Sequence, residues 1–365
     1  MIEANWGDWI EVKLCNYISQ PEEGTAIHWH GFLQTHTPWE DGVPSVTQCP
    51  IAPGKCYTYR FRASLYGSTW YHSHYSAQFS GGMFGPMVIY GPGHADYDVD
   101  LGPVMLTDWY HTEYYKIVQR ITSSAGPLAF SDNNLINGKA NFNCTGNETV
   151  PCYSNAGIAK FSFQPGMAHR LRLVNTGAEA VQRFSIDEHE MTVIANDFTP
   201  IEPYDTKVVT LGVGQRVDVI VRARKDGMAS RKGFWMRSNI TSCSTALQPL
   251  GLAAVYYDGA DTAELPDSVP WDVPDPGTCA NDDLALTTPL FKMRLPEPTF
   301  TKVIDINQFK NASNVTLFTM DVSTGCRLLV VTAPRHRVHT IRPHRTKSFA
   351  ATTTSRCSCT HSTET

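Results

Sequence analysis

The chain has 365 residues, a formal net charge of −5, 42% hydrophobic residues and 18% charged residues. So mild a charge argues neither for nucleic acid nor for an anionic membrane surface as the partner. No apolar run approaches the ~18 residues needed to span a bilayer, and a chain this long is expected to form two or more domains with cores of their own.

The opening residues, Met1-Ile2-Glu3-Ala4-Asn5-Trp6, have neither a basic start nor an apolar stretch, so no signal peptide is expected in this chain. Polar and apolar residues alternate through Glu11-Val12-Lys13-Leu14 and Tyr57 to Arg62, the period of a half-buried strand. Between and after them stand two histidine pairs, His28-Trp29-His30 and His72-Ser73-His74. Residues i and i+2 of a strand point to the same face, so each pair offers two imidazoles on one side of a sheet. Strands paired side by side, about 5 Å apart, would converge all four on one pocket. Neutral imidazole suits copper, zinc, iron and nickel, and this pattern occurs in zinc hydrolases, cupins and copper oxidases alike.

Turn signals at Ala52-Pro53-Gly54, Gly91-Pro92-Gly93, Gln164-Pro165-Gly166 and Asn175-Thr176-Gly177 separate further strand-like runs, among them Lys160 to Phe163 and Arg170 to Val174. Short strands at this spacing predict β-sandwiches or barrels. Only Thr112 to Ser123 has helical spacing, with Tyr115, Val118 and Ile121 on one side. The expected organisation is a first block over 1–95, a second over 102–258, a Pro- and Asp-rich linker over 259–284 and the opening of a third block over 285–321. The character then changes: residues 322–365 form a basic tail in which Ser and Thr clusters replace the alternation. A reading frame lost near Val322 to Cys326 is the favoured account of it.

The surroundings of the histidines resemble the multicopper oxidases, in the form seen in fungal laccases. The resemblance rests on Thr25-Ala26-Ile27-His28-Trp29-His30-Gly31-Phe32, on Trp39-Glu40-Asp41-Gly42-Val43-Pro44, and on Gly67-Ser68-Thr69-Trp70-Tyr71-His72-Ser73-His74. Leu135-Ile136-Asn137-Gly138, Arg170 to Asn175 and Gly214-Gln215-Arg216-Val217-Asp218 continue it, so that it covers roughly residues 2 to 320. It implies an all-β fold of tandem cupredoxin (plastocyanin-like) Greek-key sandwiches, two nearly complete plus the start of a third. It also implies an oxidoreductase that takes single electrons from phenols and reduces O₂ to water with four copper ions. By motif position His28 would bind the type-2 copper, His30 and His72 one type-3 copper, and His74 the other. Asp41 matches a carboxylate near that cluster and is expected to relay protons, and Asp187 is expected near a phenol pocket. His189 matches a structural histidine.

The cysteines read as disulfide formers rather than as metal ligands. The resemblance implies a Cys243–Cys279 bridge; Cys144 and Cys152 are placed to close a short loop. Cys49 stands where laccases pair with a C-terminal cysteine whose region is unrecognisable here, so it is expected to be free. Sequons at Asn143, Asn147, Asn239, Asn311 and Asn314 point to a secreted glycoprotein, and the missing leader to a natural start upstream. Oligomeric state is not legible.

The third-domain signals of the family, His-Pro-x-His-x-His and His-Cys-His, are absent from the 365 residues. His336-Arg337-Val338-His339 and Cys357-Ser358-Cys359 do not replace them. A blue copper needs one Cys and two His in fixed geometry. The chain is therefore expected to retain copper partly or not at all, with a catalytically inactive copper-binding remnant as the alternative to an active oxidase.

Overall fold

The computed structural model describes residues 1–123, 129–145, 152–225, 233–312 and 315–320. The chain divides into one unit of Met1–Tyr114 with Phe130–Lys292, and a second of Tyr115–Ala129 with Met293–Thr365.

The first unit opens with β1 (Ile2–Asn5), β2 (Trp9–Cys15), β3 (Ile27–Trp29), β4 (Cys56–Arg62), β5 (Gly67–Ser73) and β6 (Phe84–Tyr90). Four of these form a sheet in the order β1-β6-β5-β3, and β2 pairs antiparallel with β4 in a separate ribbon. The alternation read in β2 and β4 has its cause here: Ile10, Tyr59 and Phe61 point inward, against Ile27, Trp29, Phe32, Met87 and Ile89 of the facing layer. Trp29 lies at the centre, 4.9 Å from the Phe61 ring and 5.3 Å from Tyr59.

A second sandwich follows, with β7 (Val99–Trp109), β8 (Asn133–Ile136), β9 (Ala159–Phe163), β10 (Ala168–Asn175), β11 (Gln182–Ile186), β12 (Met191–Asn196), β13 (Thr199–Thr206), β14 (Val209–Leu211), β15 (Arg216–Arg222), β16 (Phe234–Ile240) and β17 (Leu250–Tyr257). Its sheets run β13-β12-β15-β10-β7-β8 and β14-β11-β16-β17-β9. They enclose Leu106, Phe163, Leu171, Leu173, Phe184, Val193, Val219 and Phe234, each nearly or fully removed from water. At roughly 25 cal/mol per Å² of apolar surface, such side chains each contribute ~1.5–3 kcal/mol. Parallel pairs β1–β6, β7–β10 and β9–β17 stand among antiparallel ones, as connections crossing between two sheets require. The all-β class of tandem sandwiches expected from the sequence is the observed one.

The two sandwiches are fastened by buried cations. Arg216 of β15 donates from Nε to the carbonyl of Ser68 on β5 at 3.1 Å, and Arg172 of β10 donates to the Ser68 hydroxyl at 3.0 Å. Arg172 is itself held by Asp100 at 2.6 Å and Asp218 at 3.3 Å. β5 is thus fixed to the second sandwich close to its histidines. Residues 282–290 run along that sandwich, with the Thr210 N–H on Asp282 and the Leu290 N–H on the Pro200 carbonyl.

The predicted helix appears as α1 (Tyr114–Ile121), within the bounds read from its spacing. In the second unit β18 (Ile306–Lys310) and β19 (Thr316–Met320) form an antiparallel hairpin. The basic tail, with His336, His339, Cys357 and Cys359, lies outside the described residues.

Three described disulfides join Cys15–Cys56, Cys144–Cys152 and Cys243–Cys279. The last two are pairs expected from the sequence. Cys15–Cys56 was not: the two are 41 residues apart and become neighbours only because β2 and β4 pair with Cys15 opposite Cys56. Cys49 is disulfide-bonded, which corrects the expectation of a free thiol.

Candidate metal centre

β3 and β5 pair antiparallel with Ile27 opposite Ser73, His28 opposite His72 and Trp29 opposite Tyr71. This register puts the even-numbered side chains of both strands on one face. The ladder continues past the strand ends, with the His74 N–H on the Ala26 carbonyl at 3.1 Å and the His30 N–H on the Trp70 carbonyl at 3.1 Å. Of the four imidazoles expected to converge, this pairing brings three together. Donor nitrogens of His28, His30 and His72 lie within 4.8 Å of one another. His74 stands at the edge, its ring 5.7 Å from His28 and 6.0 Å from His72, and is exposed.

Hydrogen bonds decide which nitrogens are available. His28 Nδ1 lies 2.7 Å from the Asp41 carbonyl and His72 Nδ1 lies 3.0 Å from the Ser73 carbonyl. A carbonyl only accepts, so both Nδ1 atoms carry the proton and both Nε2 atoms present a lone pair. His72 Nε2 lies 3.3 Å from His30 Nδ1. Two donors at that separation can each sit about 2.0–2.1 Å from one shared cation. Three converging neutral imidazoles, two of them with tautomers tied by backbone carbonyls, fit copper.

Burial lowers all three imidazole pKa values: His28 in direction, His72 to about 4 and His30 to about 2. For His30 the Arg216 charge is the next cause. Arg216 is only 4% exposed and pairs with Asp197 at 2.8 Å. The second sandwich also closes over the site, since a Cβ added to Gly214 would meet the His30 ring at 2.7 Å. Trp70 stacks on His72 at 4.2 Å.

These shifts give the metal-free chain a defined pH dependence. Unfolded imidazoles take up protons below about pH 6.5, whereas folded His72 and His30 resist until pH 4 or lower. In that window the unfolded state binds more protons, so stability falls as pH falls. Each imidazole contributes a slope on the order of 1.4 kcal/mol per pH unit. Denaturant midpoints with a chelator present are expected to drop from pH 7 to pH 5, and His72→Gln is expected to flatten the drop.

The other sequence candidates fall as follows. The Asp41 carboxylate lies 3.4 Å from His28 Nδ1 with its side chain 30% exposed, so it touches both the site and solvent. Asp187 lies in the interior of the second sandwich. Its side chain is fully buried and accepts two bonds from Arg237 at 2.8 Å and one from the Ser268 hydroxyl at 2.7 Å. Asp187→Asn is expected to cost about 2 kcal/mol of stability through the lost charge-assisted bonds, measurable by urea unfolding. His189 is a core residue, with Nδ1 on the Asp187 carbonyl and Nε2 on the Tyr257 hydroxyl. Asn143 and Asn311 are exposed and Asn239 is half-buried in β16, while Asn147 and Asn314 lie outside the described residues. Sequence reasoning had no role for Arg216, whose approach to His30 spans residues far apart in the chain.

No described helix is long and apolar enough to cross a membrane. Two family models, each described as multicopper oxidase, match residues 1–94 and 100–260. Oxidoreductase OpS5 of Beauveria bassiana is 42% identical over 308 residues, covering 84% of this chain and 51% of its own. Laccase-2 of Botryotinia fuckeliana is 41% identical over 290 residues, covering 79% and 48%. The crystal structure of the laccase from Botrytis aclada superposes with a TM-score of 0.76 at 37% identity, over 88% of this chain and 57% of that one. The chain spans about half the length of the curated relatives it matches. Two matched models over both sandwiches, with the histidines of the first in register on one face, place this chain in the multicopper oxidase family.

Proposed function

We propose that this chain supplies half of the ligand set of a laccase-type trinuclear copper centre, in a protein coupling one-electron oxidation of phenols to reduction of O₂ to water. The observation that carries this reading is the convergence of His28, His30 and His72 from two paired strands, with His74 beside them. His28 is assigned to the type-2 copper, His30 and His72 to one type-3 copper, and His74 to the other. Copper held there supplies one-electron redox chemistry.

The remaining work belongs to the chain's own residues. Carbonyls of Asp41 and Ser73 fix the His28 and His72 tautomers, so that Nε2 of each stays bare. Burial and the Arg216 charge keep the imidazoles unprotonated at neutral pH, so protons do not compete for the donor nitrogens. Reduction of O₂ to two waters consumes protons. Asp41 takes them from solvent and holds them at its carboxylate, 3.4 Å from His28 Nδ1.

The same reading divides the chain into cupredoxin domains over 1–95 and 102–258, a linker over 259–284, the opening of a third domain over 285–321 and a tail over 322–365. It makes the protein a secreted glycoprotein modified at its sequons, acting on small phenols with O₂ and without nucleic acid.

The missing His-Pro-x-His-x-His and His-Cys-His segments favour a second reading for the isolated chain, a copper binder without turnover. Both are tested on the purified full chain by copper content after loading and by O₂ uptake with a phenol. Copper bound through the histidines without O₂ uptake is the expected result. Sustained phenol-dependent O₂ uptake would overturn the second reading, and no copper binding at all would overturn both.

A further inference from the structure

We infer that Gln78 is a positioning residue for the metal ligands, acting from the back of the sheet that carries them; this rests on the copper reading above. The imidazoles occupy one face of the β3–β5 pair. Thr25 and Ser73 belong to the other, because Ile27 pairs with Ser73 and side chains alternate along each strand. On that face lies Gln78, 2% exposed, at the start of the 3₁₀ turn Gln78–Gly81.

Its amide is fully used. Oε1 accepts from the Thr25 hydroxyl at 2.8 Å and from the Ser73 hydroxyl at 2.6 Å. Nε2 donates to the Glu23 carboxylate at 2.7 Å and to the Gly24 carbonyl at 2.9 Å. Two hydroxyls on one side and two pure acceptors on the other settle which end is oxygen. Ser73 sits between His72 and His74, and Thr25 lies three residues before His28. One side chain thus ties the approach to the first histidine strand to the middle of the second. The Ser73 hydroxyl also accepts from the Tyr75 N–H at 3.2 Å, which shapes the turn leaving His74.

No other side chain of this size offers two donors and two acceptors. A glutamate would set a second oxygen against the Glu23 carboxylate and the Gly24 carbonyl, and leucine would leave two buried hydroxyls and two half-buried acceptors without this partner. Nothing about Gln78 touches a ligand. Its effect is to hold the relative height and twist of the two strands, and therefore the donor spacing of His28, His30 and His72.

The test uses the full-length chain, with Cu²⁺ affinity read by competition against a chromophoric chelator and site geometry by the absorption spectrum of bound Co²⁺. Gln78→Glu is expected to weaken Cu²⁺ binding about 10- to 100-fold and to alter the Co²⁺ spectrum, the size of effect seen when groups supporting metal ligands are lost. Thr25→Val keeps the side-chain volume while deleting one of the four bonds. It is expected to shift both readouts in the same direction by less, and it stands in should Gln78→Glu not fold. His72→Ala run alongside separates the two ideas. If His72→Ala abolishes binding while a folded Gln78→Glu, or Thr25→Val in its place, leaves affinity and spectrum at the wild-type values, the positioning role is overturned and the copper reading stands. If His72→Ala itself changes nothing, the copper reading fails, and the inference with it.

Discussion

Replacing His72 by alanine is expected to lower the affinity of the chain for Cu²⁺ by at least about 100-fold, more than is lost with a supporting group. Three features make His72 the residue to remove. It is the most enclosed of the four histidines, at 9% exposure, and it packs against Trp70 at 4.2 Å. Its Nδ1 is committed to the Ser73 carbonyl, which leaves Nε2 bare, and that nitrogen lies 3.3 Å from His30 Nδ1. Alanine removes the donor that β5 brings within 4.8 Å of those of His28 and His30. Titration of Cu²⁺ against a competing chelator reads the loss directly, and electron paramagnetic resonance reports the change in nitrogen ligation. His74→Ala is expected to cost less, because His74 lies at the edge of the cluster. His189→Ala is a control at another buried histidine: it breaks bonds to Tyr257 and the Asp187 carbonyl, so it is expected to lower stability and leave copper affinity unchanged. Equal copper affinity in wild type and His72→Ala would place the metal elsewhere.

Gly42→Ala is expected to be among the most damaging single-methyl additions in the first sandwich, costing about 3–5 kcal/mol. Gly42 has φ +77, a region that disfavours any Cβ. An added Cβ would fall 1.8 Å from the Ile27 carbonyl oxygen and 2.8 Å from the His28 nitrogen. Both are backbone atoms of β3, so no side chain can swing away, and either the Asp41-Gly42 turn lifts or β3 shifts. A lifted turn would carry off the Asp41 carbonyl that holds His28 Nδ1, so weaker metal binding is expected alongside the lower stability. Gly54→Ala isolates the backbone term. Its φ is +72 and no atom lies within 4 Å of the added Cβ, so a cost of about 1–2 kcal/mol is expected. Urea unfolding of both variants measures the difference, and equal midpoints would mean that the collision at Gly42 relaxes without cost.

Much of the metal centre was legible before any fold was known, for a local reason. Alternation along a strand is a property of neighbouring residues, so His28-Trp29-His30 and His72-Ser73-His74 declare that each pair shares a face, whichever strand lies beside it. The same short-range logic located β2, β4, β9 and β10 by their alternation, and α1 by its spacing. The chain's own letters also carry the absence of the His-Cys-His segment, which no folding step can supply.

What the sequence left open depends on contacts between distant residues. The register that sets His28 opposite His72 could not be read from either strand, because a slip of one residue preserves both patterns and turns one pair to the far face. The burial of Asp187 under Arg237 and Ser268, 50 and 81 residues further on, could not be read from its own loop-like run. Cys15 and Cys56 became partners through strand pairing, and Cys49 proved to be bonded although no partner could be recognised for it. Arg216 reaches the first sandwich through Ser68, 148 residues away, and lowers the proton affinity of His30 from there. Residue types and their periodicity thus determined which imidazoles share a face of each strand. Tertiary packing decided their spacing, their tautomers and their charge, since those depend on burial and on bonds that no local window contains.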